Sequence, residues 1–590
     1  MTARSVLPVA PSLAPTLEGL KTPHREEPIS RRTWVVAGLA VGVALAAASV
    51  AQLLARLIGL VTNLAFYGRL DASFTSPAGN HLGWFVVAVP VAGGLIVGVM
   101  ARFGSSAIRG HGIPEAMERV LFHESRIPKR ITFLKPVSAA IAIGTGGPFG
   151  AEGPIIATGG ALGSLVGQLL RVSAHERKTL LAAGAAAGMS ATFGSPVSAV
   201  LLAVELLLFE YRARSLIPVA LASATACGAR YAFTGTQPAF AMPVLDAPTG
   251  SALVIYVVIG ALVGVASVAV TRAVYWVEGR FEKLPVHWMW WPAIGAVAVG
   301  LCGVAAPHSL GVGYDNIDRL LTGELAGRAM LVLVGFKLVS WTIALGSGTS
   351  GGTLAPLLTI GGGVGSVLGA LAVLGGAGGV DVRVAALVGM AAMFAGASRA
   401  LLASVVFAFE ATRQPMGLLP LLGGCAAAFL VSARMMRHSI MTERLARRGA
   451  RIVSDYTADR LQETAVGSVA TAKVLTLEAD RSLATVREWL ASRAPGTTHQ
   501  GFPVLDDGGE LLGVVTRRDL LDEMQLGERR VRDVVKRPVA VVFDDSSLRE
   551  AVEHMVGEGV GRLPVVTRTA PRRLVGIITR SDLLTAQGRR

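Results

Sequence analysis

Charge is scarce in this chain of 590 residues: Asp, Glu, Lys and Arg make up 16% of it, against about 25% in soluble domains. With 52% hydrophobic residues and a mean hydropathy of +0.55, that excludes a disordered chain and an ordinary soluble enzyme. Cysteine is scarcer still. Cys227, Cys302 and Cys425 lie far apart in apolar surroundings, which excludes a disulfide framework or a cysteine metal site and leaves small core residues. Asp/Glu clusters of the kind that hold Mg²⁺ or Ca²⁺ are missing too, as is any nucleophile–base pair. These gaps argue against a cation pathway, an enzyme and a required cofactor. The missing charge is local: apolar stretches dominate residues 33–431, whereas 443–590 has ordinary soluble composition. The fold class expected is a polytopic α-helical membrane protein with a soluble α/β domain behind it.

The charge that is present is mostly positive, 55 Lys+Arg against 40 Asp+Glu. No nucleic-acid-binding module accompanies it, so nucleic acid is not an expected partner; short cytoplasmic loops of membrane proteins accumulate Lys and Arg for topological reasons. Residues 1–32 contain Pro8, Pro11, Pro15, Pro23 and Pro28 and end in Arg31-Arg32. The apolar run that follows, 33–66, is far longer than the core of a signal peptide. Arg31-Arg32, Lys129-Arg130 and the run Arg434, Arg437, Arg444, Arg447, Arg448, Arg451 place both termini in the cytoplasm. A compact chain without long low-complexity loops suggests a bacterial inner membrane.

Glycine, by contrast, is abundant at 70 residues, and it is patterned. Aligning 144–169 with 346–371 at a constant offset of 202 gives ten identities in 26 positions, Pro154/Pro356 and Ser164/Ser366 among them. Gly188-Met189 with Phe193 is echoed by Gly389-Met390 with Phe394. Several apolar stretches are too short for a span of about 20 residues. Broken helices in paired halves point to a site at the repeat interface near mid-membrane. The tail carries its own repeat. Gly501-Phe-Pro-Val-Leu and Leu512-Gly-Val-Val-Thr-Arg-Arg-Asp519 are answered by Arg562-Leu-Pro-Val-Val and Val575-Gly-Ile-Ile-Thr-Arg-Ser-Asp582. Each unit reads as strand, turn, strand, then a helix with its Asp in the first turn, where a carboxylate suits the dipole.

Three segments carry chemistry. Gly150-Ala151-Glu152-Gly153-Pro154 sets one carboxylate in an apolar, glycine-rich stretch, and Pro154 suits the first turn of a helix. Glu152 is either a simple cap or a group that occupies an anion site when ionised and vacates it when protonated. Gly352-Thr353-Leu354-Ala355-Pro356 has the same grammar without the charge, and Gly110-His111-Gly112-Ile113-Pro114-Glu115 is a third such helix start. Three glycine–proline helix starts favour an anion.

These segments resemble the CLC family of chloride channels and proton/chloride exchangers: residues 110–115 its Gly-Ser-Gly-Ile-Pro-Glu, 150–154 its Gly-Arg/Lys-Glu-Gly-Pro, and 352–356 its Gly-x-Phe-x-Pro. Lys135, and Phe193-Gly-Ser-Pro196 through Glu205, fit as well, and the tail resembles a paired CBS module. The resemblance runs from about residue 32 to the C-terminus. It implies inverted repeats with broken and re-entrant helices, a homodimer with one pathway per subunit, and Glu152 as the gating glutamate. It implies anion binding by His111, Gly112, Ile113, Ala151, Gly153, Thr353, Leu354 and Met441. It also implies adenine nucleotide at Thr516, Asp519, Thr579 and Asp582 of the CBS pair, where capping or dimerisation are the plain alternatives. The division expected is a tail at 1–32, a transport domain at 33–440 with repeats near 84–228 and 290–432, a basic linker at 441–464, and CBS units at 465–525 and 526–590.

Five departures from the family pattern matter. His111 replaces the serine at the central site, as a titratable cation or as a neutral ring satisfied by a carbonyl. Met441 stands where a tyrosine hydroxyl is usual, Leu354 replaces the phenylalanine, and Ala151 replaces a basic residue. Glu205 is followed by Leu206 rather than by a second glutamate, which removes the usual inner proton acceptor. The expectation is a passive chloride channel, gated by voltage or pH through Glu152. A proton-coupled exchanger is the runner-up; a CBS-regulated cation transporter, or a membrane anchor for the CBS pair, stands further off.

Overall fold

The computed structural model describes residues 31–170, 172–448, 461, 464–492, 494–522, 528–535, 539–567 and 573–588. Almost all of the expected 1–32 tail, and 449–460 of the expected linker with Arg451, lie outside the described residues. The chain divides into two compact units at residues 454/455.

Among the described residues of the first unit, eight α-helices are followed by eight more that match them one for one in order. They are α1 (Arg31–Tyr67), α2 (Ala88–Val99), α3 (Ile113–Phe122), α4 (Ile131–Gly144), α5 (Glu152–Leu169), α6 (Ala174–Phe193), α7 (Pro196–Ala203) and α8 (Ala213–Thr234). Their counterparts are α9 (Gly250–Phe281), α10 (Trp291–Ala305), α11 (Tyr314–Thr322), α12 (Gly327–Gly346), α13 (Leu354–Leu374), α14 (Val382–Ser398), α15 (Leu401–Thr412) and α16 (Leu418–Met435). The repeat therefore opens with the long helices α1 and α9, earlier in each half than the glycine pattern alone indicates. Among the described residues, eight helices are long and apolar enough to cross a membrane. Others are short: α3, α7, α11 and α15 have 8–12 residues, and their buried ends place non-helical backbone inside the protein, where neighbouring groups satisfy it.

Glycine makes the packing close. A Cβ on Gly159 would lie 2.1 Å from the Gly184 carbonyl, and its repeat mate Gly361 would meet the Gly389 carbonyl at 2.5 Å. The α5–α6 and α13–α14 pairs thus approach backbone to backbone, as small residues allow in membranes. Residues 441–448, read from the sequence as the start of a linker, are folded into this unit: Met441 is buried and 443–447 form α17 (Glu443–Arg447).

Among its described residues the second unit holds two three-stranded sheets. In the first, β1 (Leu477–Glu478) runs parallel to β2 (Gly501–Leu505), which pairs antiparallel with β3 (Leu511–Thr516); in the second, β4 (Val542–Phe543), β5 (Arg562–Val566) and β6 (Leu574–Thr579) repeat the pattern. Phe502 faces Val515 in one and Leu563 faces Ile578 in the other. The lead-in segments are exchanged. Leu461 and Val466 belong to the core of the second sheet, whereas Val531 and Val534 belong to the core of the first. Thr471 exchanges both backbone hydrogen bonds with Ile577, and Arg532 donates to Ala479. Each half is completed by chain from the other.

Candidate functional site

The site grows from a buried lysine. Lys135 on α4 donates from Nζ to the carbonyls of Ile108 and Gly110, each at 2.8 Å. That pins the loop before α3, where Gly110 (φ +90°) and Gly112 (φ +96°) take a backbone conformation that side chains resist. Glu115 completes the start of α3 by accepting the Gly112 N–H at 2.7 Å.

Three glycine loops meet at this point. Gly150 donates to the Gly352 carbonyl at 3.2 Å and Gly352 returns the bond to Gly150 at 2.9 Å. The two glycines are repeat mates, so a pseudo-twofold axis passes between them. Gly351 donates to the Gly110 carbonyl at 3.4 Å. The third seam needs no hydrogen bond. A Cβ on Gly153 would sit 2.2 Å from the His111 carbonyl, and one on Gly112 would sit 2.5 Å from the Gly153 carbonyl, so no side chain fits at either position.

Glu152 begins α5 at this junction, fully buried. Its Oε1 accepts the Ala355 N–H at 2.6 Å, in the first turn of α13, and its Oε2 accepts the Tyr314 hydroxyl at 3.0 Å. The carboxylate thus lies on the amide-rich start of a helix from the other repeat, a place that favours negative charge. Ala151, Thr353 and Leu354 are buried around it, Ala151 and Thr353 as the residues just before α5 and α13.

Tyr314 was not among the residues singled out in the sequence, yet its signal is there. Gly311-Val312-Gly313-Tyr314 matches Gly110-His111-Gly112-Ile113 at an offset of 201, and Lys337 matches Lys135 at 202. Lys337 Nζ donates to the carbonyls of Ser309 at 3.2 Å and Gly311 at 2.7 Å, doing for the loop before α11 what Lys135 does before α3. The Tyr314 ring packs edge-on against Phe193 and Phe240, with centroids 5.8 and 6.0 Å away, and Phe407 backs Phe193 at 5.0 Å. This aromatic cluster fixes the direction of the hydroxyl.

His111 is buried, and its Nδ1 has no hydrogen-bond partner among the described residues. Met441 is buried ahead of α17, its N–H held by Ser439 Oγ at 3.3 Å. Helix α17 reaches α3 through Arg444–Glu115 at 3.1 Å, and Arg448, just after it, through Glu118 at 2.7 Å. A thioether cannot donate, so Met441 brings no hydroxyl to the site.

Glu205 is occupied elsewhere. Its two oxygens accept the N–H groups of Leu402 at 3.0 Å and Ala403 at 3.1 Å, at the start of α15. Glu410 on α15 returns the arrangement to the start of α7, accepting Val197 at 3.0 Å and Ser198 at 2.8 Å. Leu206 is buried.

In the second unit the four tail residues form two matching helix caps. Asp519 Oδ2 accepts the N–H and the hydroxyl of Thr516 at 2.9 and 2.5 Å; Asp582 Oδ2 accepts those of Thr579 at 2.8 and 2.7 Å. Capping is therefore what these pairs do within the chain.

A family model described as a voltage gated chloride channel matches residues 93–433, and one described as a CBS domain matches 466–526 and 531–589. The chain is 28% identical over 559 residues to chloride channel protein CLC-f of Arabidopsis thaliana, across 82% of this chain and 70% of that one. It is 29% identical over 363 residues to the H(+)/Cl(-) exchange transporter ClcA of Yersinia pestis, across 59% and 74%. A solved slow cyanobacterial Cl-/H+ antiporter superposes with a TM-score of 0.64 at 21% identity, over 71% of this chain and 98% of that one. A eukaryotic CLC transporter does so at 0.57 and 21%, over 94% and 99%. At such identity these structures speak for the fold alone.

Proposed function

The chain belongs to the voltage-gated chloride channel family, a family of anion transporters and channels, and from that premise we propose that it is a passive chloride conductance gated by Glu152 and regulated through its CBS pair. One observation carries the reading. The Glu152 carboxylate rests on the Ala355 N–H and the Tyr314 hydroxyl, and a carboxylate there stands in for the permeating anion. When Glu152 is protonated it loses its claim on these donors, swings away, and chloride takes its place. The working unit is a homodimer with one pathway per subunit, embedded in a bacterial inner membrane.

The inner side supports the passive reading: Leu206 cannot accept a proton from the cytoplasm, and Glu205 is bound to two backbone amides. Coordination of the anion falls to backbone amides near 112–113, 151–153 and 353–354, the Thr353 hydroxyl and His111, since Met441 supplies no donor. Adenine nucleotide at the CBS pair is the regulatory ligand of this reading.

The second reading, a proton-coupled exchanger, is favoured by the relative from Yersinia pestis, whose name says H(+)/Cl(-) exchange. Purified protein in liposomes, with a chloride gradient and the voltage set by valinomycin, separates the two. The passive reading expects chloride efflux without a proton signal. Uphill proton movement that disappears in Glu152→Gln overturns it and establishes exchange.

A further inference from the structure

A cavity of about 430 Å³ opens between the last third of α9 and the 435–447 junction of α16 and α17, far in sequence from the glycine loops. Arg272, Arg437, His438 and Arg447 line it, with Trp276 and Glu443. Glu443, the one carboxylate among the described lining residues, is paired with Arg447 Nε at 3.0 Å, so among the described residues no carboxylate in the lining is left to pair with Arg272 and Arg437. Arg272 donates from Nη2 to the Met435 carbonyl at 2.9 Å, so its guanidinium is held across the floor between the two helices.

The surface leading to the pocket identifies what fills it. Val254, Val258, Leu262 and Val265 are exposed at spacings of 4, 4 and 3 residues, one continuous apolar face of α9. The same face continues to Arg272 and Trp276, where it changes from aliphatic to cationic and aromatic; Trp276 is 62% exposed and carries the Arg280 guanidinium over its ring at 4.7 Å. From Val254 to Arg272 the helix rises ~27 Å, close to the hydrocarbon thickness of a bilayer. Helix α16 runs alongside in the same direction. Its Gly424 backbone would meet a Cβ on Gly260 at 2.2 Å, and Ala428 would meet one on Gly264 at 2.8 Å; Leu419, Leu422 and Leu430 are exposed on it. Arg272 therefore lies at headgroup depth on the basic side of the membrane, below two apolar faces.

We propose that this pocket binds the phosphate of an anionic phospholipid from the cytoplasmic leaflet, with Arg272 and Arg437 as its main donors, Trp276 at the glycerol level and the acyl chains along α9 and α16. Arginine matches a phosphate geometrically, its planar fork presenting paired donors to two oxygens. A soluble phosphate compound shares that chemistry but has no use for the aliphatic approach. The lipid also lies beside working parts of the protein. Arg447 covers the Tyr275 ring at 4.9 Å, the Tyr275 hydroxyl holds the Ile440 carbonyl at 2.7 Å, and neighbouring Arg444 holds Glu115.

The test uses the full chain in nanodiscs of phosphatidylcholine with a minority of phosphatidylglycerol, followed by native mass spectrometry of the lipid retained in detergent. Selective retention of phosphatidylglycerol is expected, reduced ~30-fold in the double variant Arg272→Gln/Arg437→Gln, while Arg434→Gln, outside the lining, keeps it. Size-exclusion elution of the double variant like that of the parent shows that it folds. Equal retention of both lipids by the parent chain overturns the proposal whatever the variant does, as does a well-folded double variant that retains phosphatidylglycerol. Displacement of phosphatidylglycerol by millimolar inorganic phosphate overturns the lipid assignment and identifies a site for soluble phosphate.

Discussion

Tyr314 donates its hydroxyl to Glu152 at 3.0 Å, and the two residues, 162 positions apart, come from opposite repeats. The bond is charge-assisted when Glu152 is ionised and holds the carboxylate over the start of α13. Removing it in Tyr314→Phe, which keeps the aromatic packing, destabilises the occupied position by about 1.5–3 kcal/mol. Chloride efflux from liposomes is expected to rise by roughly tenfold or more at neutral pH. Efflux equal to or slower than that of the parent would show that Tyr314 does not hold the gate.

The reciprocal caps made by Glu205 and Glu410 give a second prediction. Glu205→Gln and Glu410→Gln each replace an acceptor oxygen by an amide group that faces an N–H, at a cost of about 1–2 kcal/mol. Both variants are expected to unfold a few degrees earlier in detergent while conducting chloride with an unchanged proton signal. A proton signal that appears or vanishes only in Glu205→Gln would assign that residue a place on a proton path.

Lys135 and Lys337 do the same task in the two repeats, so their loss is expected to act alike. Lys135→Met and Lys337→Met leave buried carbonyls of the 108–110 and 309–311 loops unpaired, about 1–3 kcal/mol for each group stranded. Both remove a positive charge from beside the glycine loops, so chloride affinity falls along with the unfolding temperature. A variant that melts within a degree of the parent contradicts this role.

His111 bears on selectivity. With no hydroxyl from Met441 and none at 111, anions that demand fewer strong donors gain relative to chloride. His111→Ser restores one donor and is expected to raise the chloride-to-nitrate flux ratio several-fold, on the scale of one neutral hydrogen bond of about 1 kcal/mol. Flux ratios for chloride, nitrate and thiocyanate in one liposome preparation decide it, and an unchanged ratio removes His111 from the pathway.

For the CBS pair, Asp519→Ala and Asp582→Ala each lose a helix cap and about 1 kcal/mol of local stability. If these carboxylates also hold ribose hydroxyls, calorimetric titration of the full chain with ATP or AMP gives heat that the double variant lacks. No heat at millimolar nucleotide leaves capping as their whole role.

Much of the architecture is written locally. The glycine–proline helix starts and the Thr-x-x-Asp caps are short-range patterns, each dictating its own backbone wherever it lands, and the repeat at offset 202 shows one of them used twice. Hydropathy alone requires helices, because in lipid every backbone group must be satisfied within the protein. The partners of Glu152 and Glu205 could not be read that way. A buried carboxylate is defined by which amides face it, and those belong to residues 203 and 197 positions away. Tyr314 and Lys337 lay in plain view as an offset echo, but only packing made one a partner of Glu152 and the other a clamp on its loop. The exchanged lead-ins of the two sheets were invisible for the same reason: sequence order fixes neighbours along the chain, whereas a core is closed by whichever apolar residues the topology delivers. Composition and repeats determined that this is a two-part membrane protein with paired halves; tertiary structure alone decided which donors surround its buried carboxylates, because those donors converge from segments that share no local pattern.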